Sequence, residues 1–133
     1  MRLFQNPVIS RHCAAINKAG GAAEELLPAY KVHRAVDFSG SKRWEPEFFA
    51  HYVLVADIDT DELEEAFAIH NRVGSFDSPE DEALITRHGR QHSMSVGDIL
   101  EHEGQYHMVD GFGFTPIEVR EMVWFYREPR RAA

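Results

Sequence analysis

HSMSVGDILEHEGQYHMVDGFGF, residues 92–114, decides how this chain is read. Ile99–His102 and Gln105–Val109 flank Glu103–Gly104, a two-residue turn of the Asx-Gly kind with Glu in the first place. A turn of that length fixes the register of the hairpin. It sets Glu101 opposite Tyr106, Leu100 opposite His107 and Ile99 opposite Met108. The same stretch carries histidines, carboxylates, serines and spaced glycines, so it is also the first place to look for a site.

Upstream, HYVLVAD (51–57) is a compact β-branched and aromatic run that predicts a central strand. DTDELEEAFAIHNRVG follows it as a helix. Asp59 and Glu62 resemble a capping box, Gly74 is the expected stop, and Leu63, Ala66, Phe67, His70 and Val73 form the buried stripe. NPVISRHCAAINKAGG predicts a first helix capped by Asn6, with Val8, Ile9, Cys13 and Ile16 inward. AAEELL predicts a short second helix. AYKVHRAVDF alternates loosely and predicts a strand, SGSKRWEPEFF a loop, and 75–91 a polar connection with one ordered piece at ALIT. EMVWFYR (121–127) predicts a last strand, as an interior strand or as an edge that pairs two copies. Strands and helices without regular alternation predict an α+β fold, with a small antiparallel or mixed sheet and two or three helices. The length of 133 residues predicts a single domain, 1–133.

Composition narrows the function. The hydrophobic fraction is 44% and the charged fraction 27%, typical of a globular protein. No apolar run is long enough to span a bilayer, and MRLFQNPVIS lacks the apolar core of a secretory signal, so a cytoplasmic protein is expected. One cysteine, Cys13, excludes an internal disulfide and any multi-cysteine zinc site, and is expected as a small buried apolar residue. The net charge of −8 is concentrated in Asp57–Glu82, which holds ten acids and one base, Arg72. That balance disfavours non-specific nucleic-acid binding, although WFYREPRR, KVHR and SKRW interleave bases with aromatics. An acidic block suits a basic protein surface; its plainer reading is a solvated helix start and loop.

Three pieces, in order, resemble the YodL-like small domains of bacterial phages and mobile elements. They are YVLVADIDTDELEEAFAIHNRV, RQHSMSVGDIL and QYHMVDGFGF, covering about residues 52–118, with 1–50 as an N-terminal helical and strand extension to that core. The first piece is a strand leading to an acidic-capped helix. The second matches an Arg-x-x-Ser-x-Ser-Val-Gly-Asp-hydrophobic pattern, and the third a Tyr-x-Val-Asp-Ser-x-Gly-Phe ending in which Gly111 stands where serine is common. The resemblance implies an accessory protein of a phage or mobile element, and it implies no reaction.

The expected function is therefore non-catalytic binding, as an inhibitor or modulator of a host protein that uses an acidic face. The partner-binding residues are expected to be Asp59, Asp61, Glu64, Glu65, Asp77 and Glu80. A ligand, if there is one, is expected at Ser93, Ser95, Asp98, Asp110 and Phe112, where two turns meet at one end of the sheet. For Asp98 and Asp110 the structural alternative is bracing of a turn. Phe112 and Phe114, if extended, share a side and are expected in the core, with stacking on a ligand ring as the sharper reading. The alternative function is a small metal-dependent or nucleotide-acting enzyme that uses His102, His107, Asp98 and Asp110. His88 and His92, four apart, would share a helix face, but Gly89 lies between them. No Gly-x-Ser-x-Gly elbow is present, and GFGF (111–114) lacks both the dinucleotide fingerprint and the lysine of a phosphate loop. No cofactor is expected. A basic protein partner is expected, with homodimerisation as a second form of binding.

Overall fold

The structure is a computed structural model that describes residues 1–72 and 79–121, without the side chains of Glu25 and Leu26. The strands are β1 (Arg2–Gln5), β2 (Val53–Ile58), β3 (Ile85–Arg87), β4 (Ile99–His102), β5 (Gln105–Val109) and β6 (Phe114–Ile117). They form an antiparallel sheet in the order β3-β2-β1-β4-β5-β6. The helices are α1 (Val8–Ala19), α2 (Ala23–Leu26), α3 (Pro28–Ser39), α4 (Leu63–Arg72) and α5 (Pro79–Ala83). The fold is α+β. No helix of the described residues is long and apolar enough to cross a membrane.

The central hairpin forms in the register set by its turn. Ile99 pairs with Met108, Leu100 with His107 and Glu101 with Tyr106. Glu103 and Gly104 both have positive φ, 52° and 82°, as a two-residue turn matched to strand twist requires. Alternation then feeds two cores. Leu3, Leu100 and Val109 pack with Ala66 and Ile69 of α4 on one face. Phe4, Ile99 and Met108 pack with Val32 and Val36 of α3, and with Phe49 and Tyr52, on the other. Leu3, Ile99, Leu100 and Met108 are fully buried, each contributing about 1.5–3 kcal/mol by leaving water.

Some of the sequence expectations fail. RLFQ, residues 2–5, was not expected as a strand, yet β1 sits between β2 and β4. Residues 1–50 are thus part of the core and not an extension to it. The run is too short for periodicity to register, and its Leu3 and Phe4 serve opposite faces. AYKVHRAVDF is helix α3, not a strand. Pro28 occupies its first turn, and Val32 and Val36, four apart, make its buried face. β-branched residues in a short segment misled a reading based on strand propensity.

Other differences are local. SGSKRWEPEFF, expected as a loop, contains two 3-10 turns, Gly40–Arg43 and Pro46–His51. The polar connection after residue 75 holds α5 and β3. In α1, Val8 and Ile16 are buried, whereas Ile9 and Cys13 are exposed. A break at His12 (φ −127°) shifts the phase of the helix between its two halves. The N-cap of this helix is Pro7, without a side-chain cap, and not the expected Asn6; Asn6 accepts from the Val8 amide at 3.1 Å in the turn just before it. At α4 the Glu62 amide donates to the Thr60 hydroxyl at 3.2 Å, while the Asp59 amide is committed to the Leu84 carbonyl at 2.8 Å. The helix begins at Leu63, with the Ala66 amide bonded to the Glu62 carbonyl, so the N-cap position falls on Glu62 and not on Asp59. The predicted stop at Gly74, Val73 of the stripe, Asp77 and the predicted strand 121–127 lie outside the described residues, apart from Glu121.

Candidate functional site

The turns before β4 and after β5 meet at one end of the sheet. The Gly97 amide donates to the Val109 carbonyl at 2.9 Å, and the Val109 amide donates to the Asp98 carbonyl at 2.8 Å. Two carboxylates sit beside this junction, each serving a different neighbourhood.

Asp98 is buried. Its Oδ2 accepts from Gln5 Nε2 at 3.0 Å and from the Ser95 amide at 3.0 Å. Gln5, from the last position of β1, is only 1% exposed. Its Nε2 also donates to the His92 carbonyl at 2.9 Å, and its Oε1 accepts from the His92 amide at 3.2 Å. One side-chain amide thus ties residues 92–98 to the middle of the sheet, as a ladder hydrogen bond would. Burial pushes the Asp98 carboxyl up to about 7, against the pull of His92, the Ser95 amide and Gln5. Tyr52 donates its hydroxyl to the Gly97 carbonyl at 2.6 Å, and burial followed by the nearby Asp98 raises this phenol above its ordinary value.

Asp110 is held differently. Its Oδ1 accepts from the Ser41 amide at 3.0 Å, and its Oδ2 accepts from the Ser41 hydroxyl at 2.6 Å and from the Thr115 hydroxyl. Burial acts to raise this carboxyl, but the Ser41 and Thr115 hydrogen bonds outweigh it and hold Asp110 below its ordinary value. Gly40 makes the contact possible. A Cβ there would lie 1.8 Å from Asp110 Oδ1, and its φ is +55°. Asp110 therefore locks the 3-10 turn after α3 to the β5–β6 bend. Asp110→Ala should cost about 2 kcal/mol, because it leaves the Ser41 amide without its acceptor, and urea unfolding will measure this.

The expected ligand set therefore divides. Ser93 is exposed and lines a cleft of about 250 Å³ with His70, Asn71, Gln91 and His92. Asp110 and Phe112 line another, of about 530 Å³, with Phe38 and Lys42. Asp98 and the Ser95 amide belong to the buried network. Phe112 is fully exposed, contrary to the expectation of a core position, whereas Phe114 packs near Phe67 with ring centroids 6.4 Å apart. Gly113, at φ +74°, turns the chain between them, so strand alternation does not carry across.

The histidines do not assemble with the aspartates. Register puts His102 and His107 on one face of the hairpin, but His102 lies four residues from Asp98, about 13 Å along an extended strand. His107 Nδ1 is buried without a hydrogen-bond partner among the described residues. His88 bonds Asp57 at 2.5 Å, and His92 Nδ1 bonds the Ser93 carbonyl at 2.8 Å; no helix joins the two. Among the described residues, no three of His, Cys, Asp and Glu gather as a metal site would need. His70 is buried and bonds Gln91, a pairing that its place in a helical stripe could not announce.

In the acidic block, Asp59, Asp61, Glu64, Glu65 and Glu80 are exposed. None forms an ion pair among the described residues; Glu65 adds only its field to that of Asp81 at Arg72. Asp81 and Glu82 differ from them, being bound by Arg72 and Arg87. Gln5 is the residue that sequence reasoning missed, and only recognition of RLFQ as a strand would have drawn attention to it. No protein-family model, curated protein or solved structure matches the chain.

Proposed function

We propose that this is a non-catalytic binding protein that docks a basic surface of another protein through the start of α4 and the neighbouring α5. One observation carries the reading: Asp59, Asp61, Glu64, Glu65 and Glu80 stay exposed and without ion pairs among the described residues, while Arg72 and Arg87 are used on Asp81 and Glu82. Uncompensated like charge on a short helix start opposes folding slightly and favours encounter with a basic partner. The positive end of the α4 dipole offsets part of that repulsion. The resemblance of residues 52–118 to YodL-like domains of phages and mobile elements supports an accessory role, as an inhibitor or modulator of a host protein. Occupation of a groove made for phosphate is one form such inhibition takes.

The test is capture of partners at low and high salt, followed by titration of the purified partner against wild type and Asp61→Lys/Glu64→Lys/Glu65→Lys. The triple variant should bind at least about tenfold more weakly, and wild-type affinity should fall as salt rises. Tight binding indifferent to both changes would sink the proposal.

A further inference from the structure

A second surface has the opposite character. Among the described residues, Arg2, Arg34, Arg72, Arg87 and Arg120 each hold a carboxylate. Arg11, Arg43 and Arg90 hold none among those residues, and of these three Arg11 and Arg90 line one cleft of about 400 Å³ between α1, β2 and the chain leaving β3. Ser10 and His88 share that lining. A second cleft of about 230 Å³ adjoins it, with Arg11, Pro7 and Val53 common to both, and adds Asn6, His12 and His51. Neither lining contains an aspartate or a glutamate, in a protein of net charge −8. His88 is itself bonded to the Asp57 carboxylate, at 2.5 Å.

Elsewhere among the described residues every arginine but Arg43 holds a carboxylate, as an excess of acids favours. Two guanidinium groups left without a carboxylate on one concave, acid-free surface leave their donors to solvent or to a ligand. Guanidinium forks match the oxygens of a phosphate in pairs, and two forks match a dianion better than a single carboxylate. The volume lies in the range of small-ligand clefts.

The geometry points to a binding site for a small phosphate-bearing anion, held by Arg11 and Arg90, with Ser10 and His88 completing the rim. The adjoining cleft with His12 and His51 receives the rest of the ligand. This site is independent of the acidic face and does not rest on it.

Isothermal titration with inorganic pyrophosphate at low ionic strength tests it. Wild type should bind one equivalent. Arg11→Ala and Arg90→Ala should each weaken binding by about tenfold or more, as expected for loss of a charge-assisted bidentate contact. Arg43→Ala removes a guanidinium that lines neither cleft and should leave binding unchanged. Circular dichroism establishes that each variant is folded; both arginines are exposed, so folding should survive. Absence of binding at millimolar pyrophosphate overturns the assignment. Equal weakening by Arg43→Ala overturns it too, because the attraction would then be diffuse.

Discussion

Gly97→Ala is expected to destabilise the protein by about 3 kcal/mol. Gly97 has φ +97°, a conformation that L side chains rarely adopt. A Cβ there would also lie 2.8 Å from Val36 Cγ2 and 3.4 Å from Val36 Cβ, in α3. Neither partner can retreat easily. The Gly97 amide is bonded to Val109 and its carbonyl to the Tyr52 hydroxyl, while Val36 is 3% exposed within its core. The two causes are separable. Val36→Ala placed in the Gly97→Ala background relieves the clash but not the backbone strain, so a double-mutant cycle in urea should show favourable coupling of about 1 kcal/mol or more. Wild-type stability for Gly97→Ala would show that α3 does not approach this turn as closely as described.

The second large effect is a pH dependence centred on Asp98. In the unfolded chain this carboxyl titrates near 3.8; burial raises it in the folded protein to about 7. The folded state therefore holds the proton more tightly. The resulting stability is complete below the unfolded value and is lost as pH rises through the folded one. Between about pH 4 and pH 7 the loss should be on the order of 2–4 kcal/mol from this group. Asp98→Asn should remove that slope. Its amide oxygen can still accept from Gln5 and the Ser95 amide, and it carries no charge to bury. Thermal melts of the two proteins should converge at low pH and diverge towards pH 8, with the variant the more stable there. The same pH slope in both would remove Asp98 as its source.

Both effects lie in the segment that opened the sequence reading, and they show how much of that segment was legible. The hairpin register was, because a two-residue turn is a local constraint that leaves a single pairing. The strand at 51–57 and the helix after it were legible for the same kind of reason. The bracing role of Asp110 was foreseen as a local turn interaction, but its main partner, Ser41, is far away in sequence. The failures were equally physical. RLFQ is four residues long, and its place in the middle of the sheet is decided by partners at 53–57 and 99–101. AYKVHRAVDF could satisfy a strand or a helix, and the sheet face made by Phe4, Ile99 and Met108 selects the helix.

The candidate sites divide along the same line. The sequence by itself determined the α+β class, the central hairpin and the concentration of acid between Asp57 and Glu82. These depend on neighbours in the chain, or on composition alone. Only the tertiary structure decided that Gln5 would hold Asp98, that the expected ligand residues would part into separate surroundings, and that Arg11 and Arg90 would share an acid-free cleft. Such contacts join positions dozens of residues apart. They exist only once β1 has been inserted between β2 and β4, because that insertion sets the distances over which hydrogen bonds and charges act.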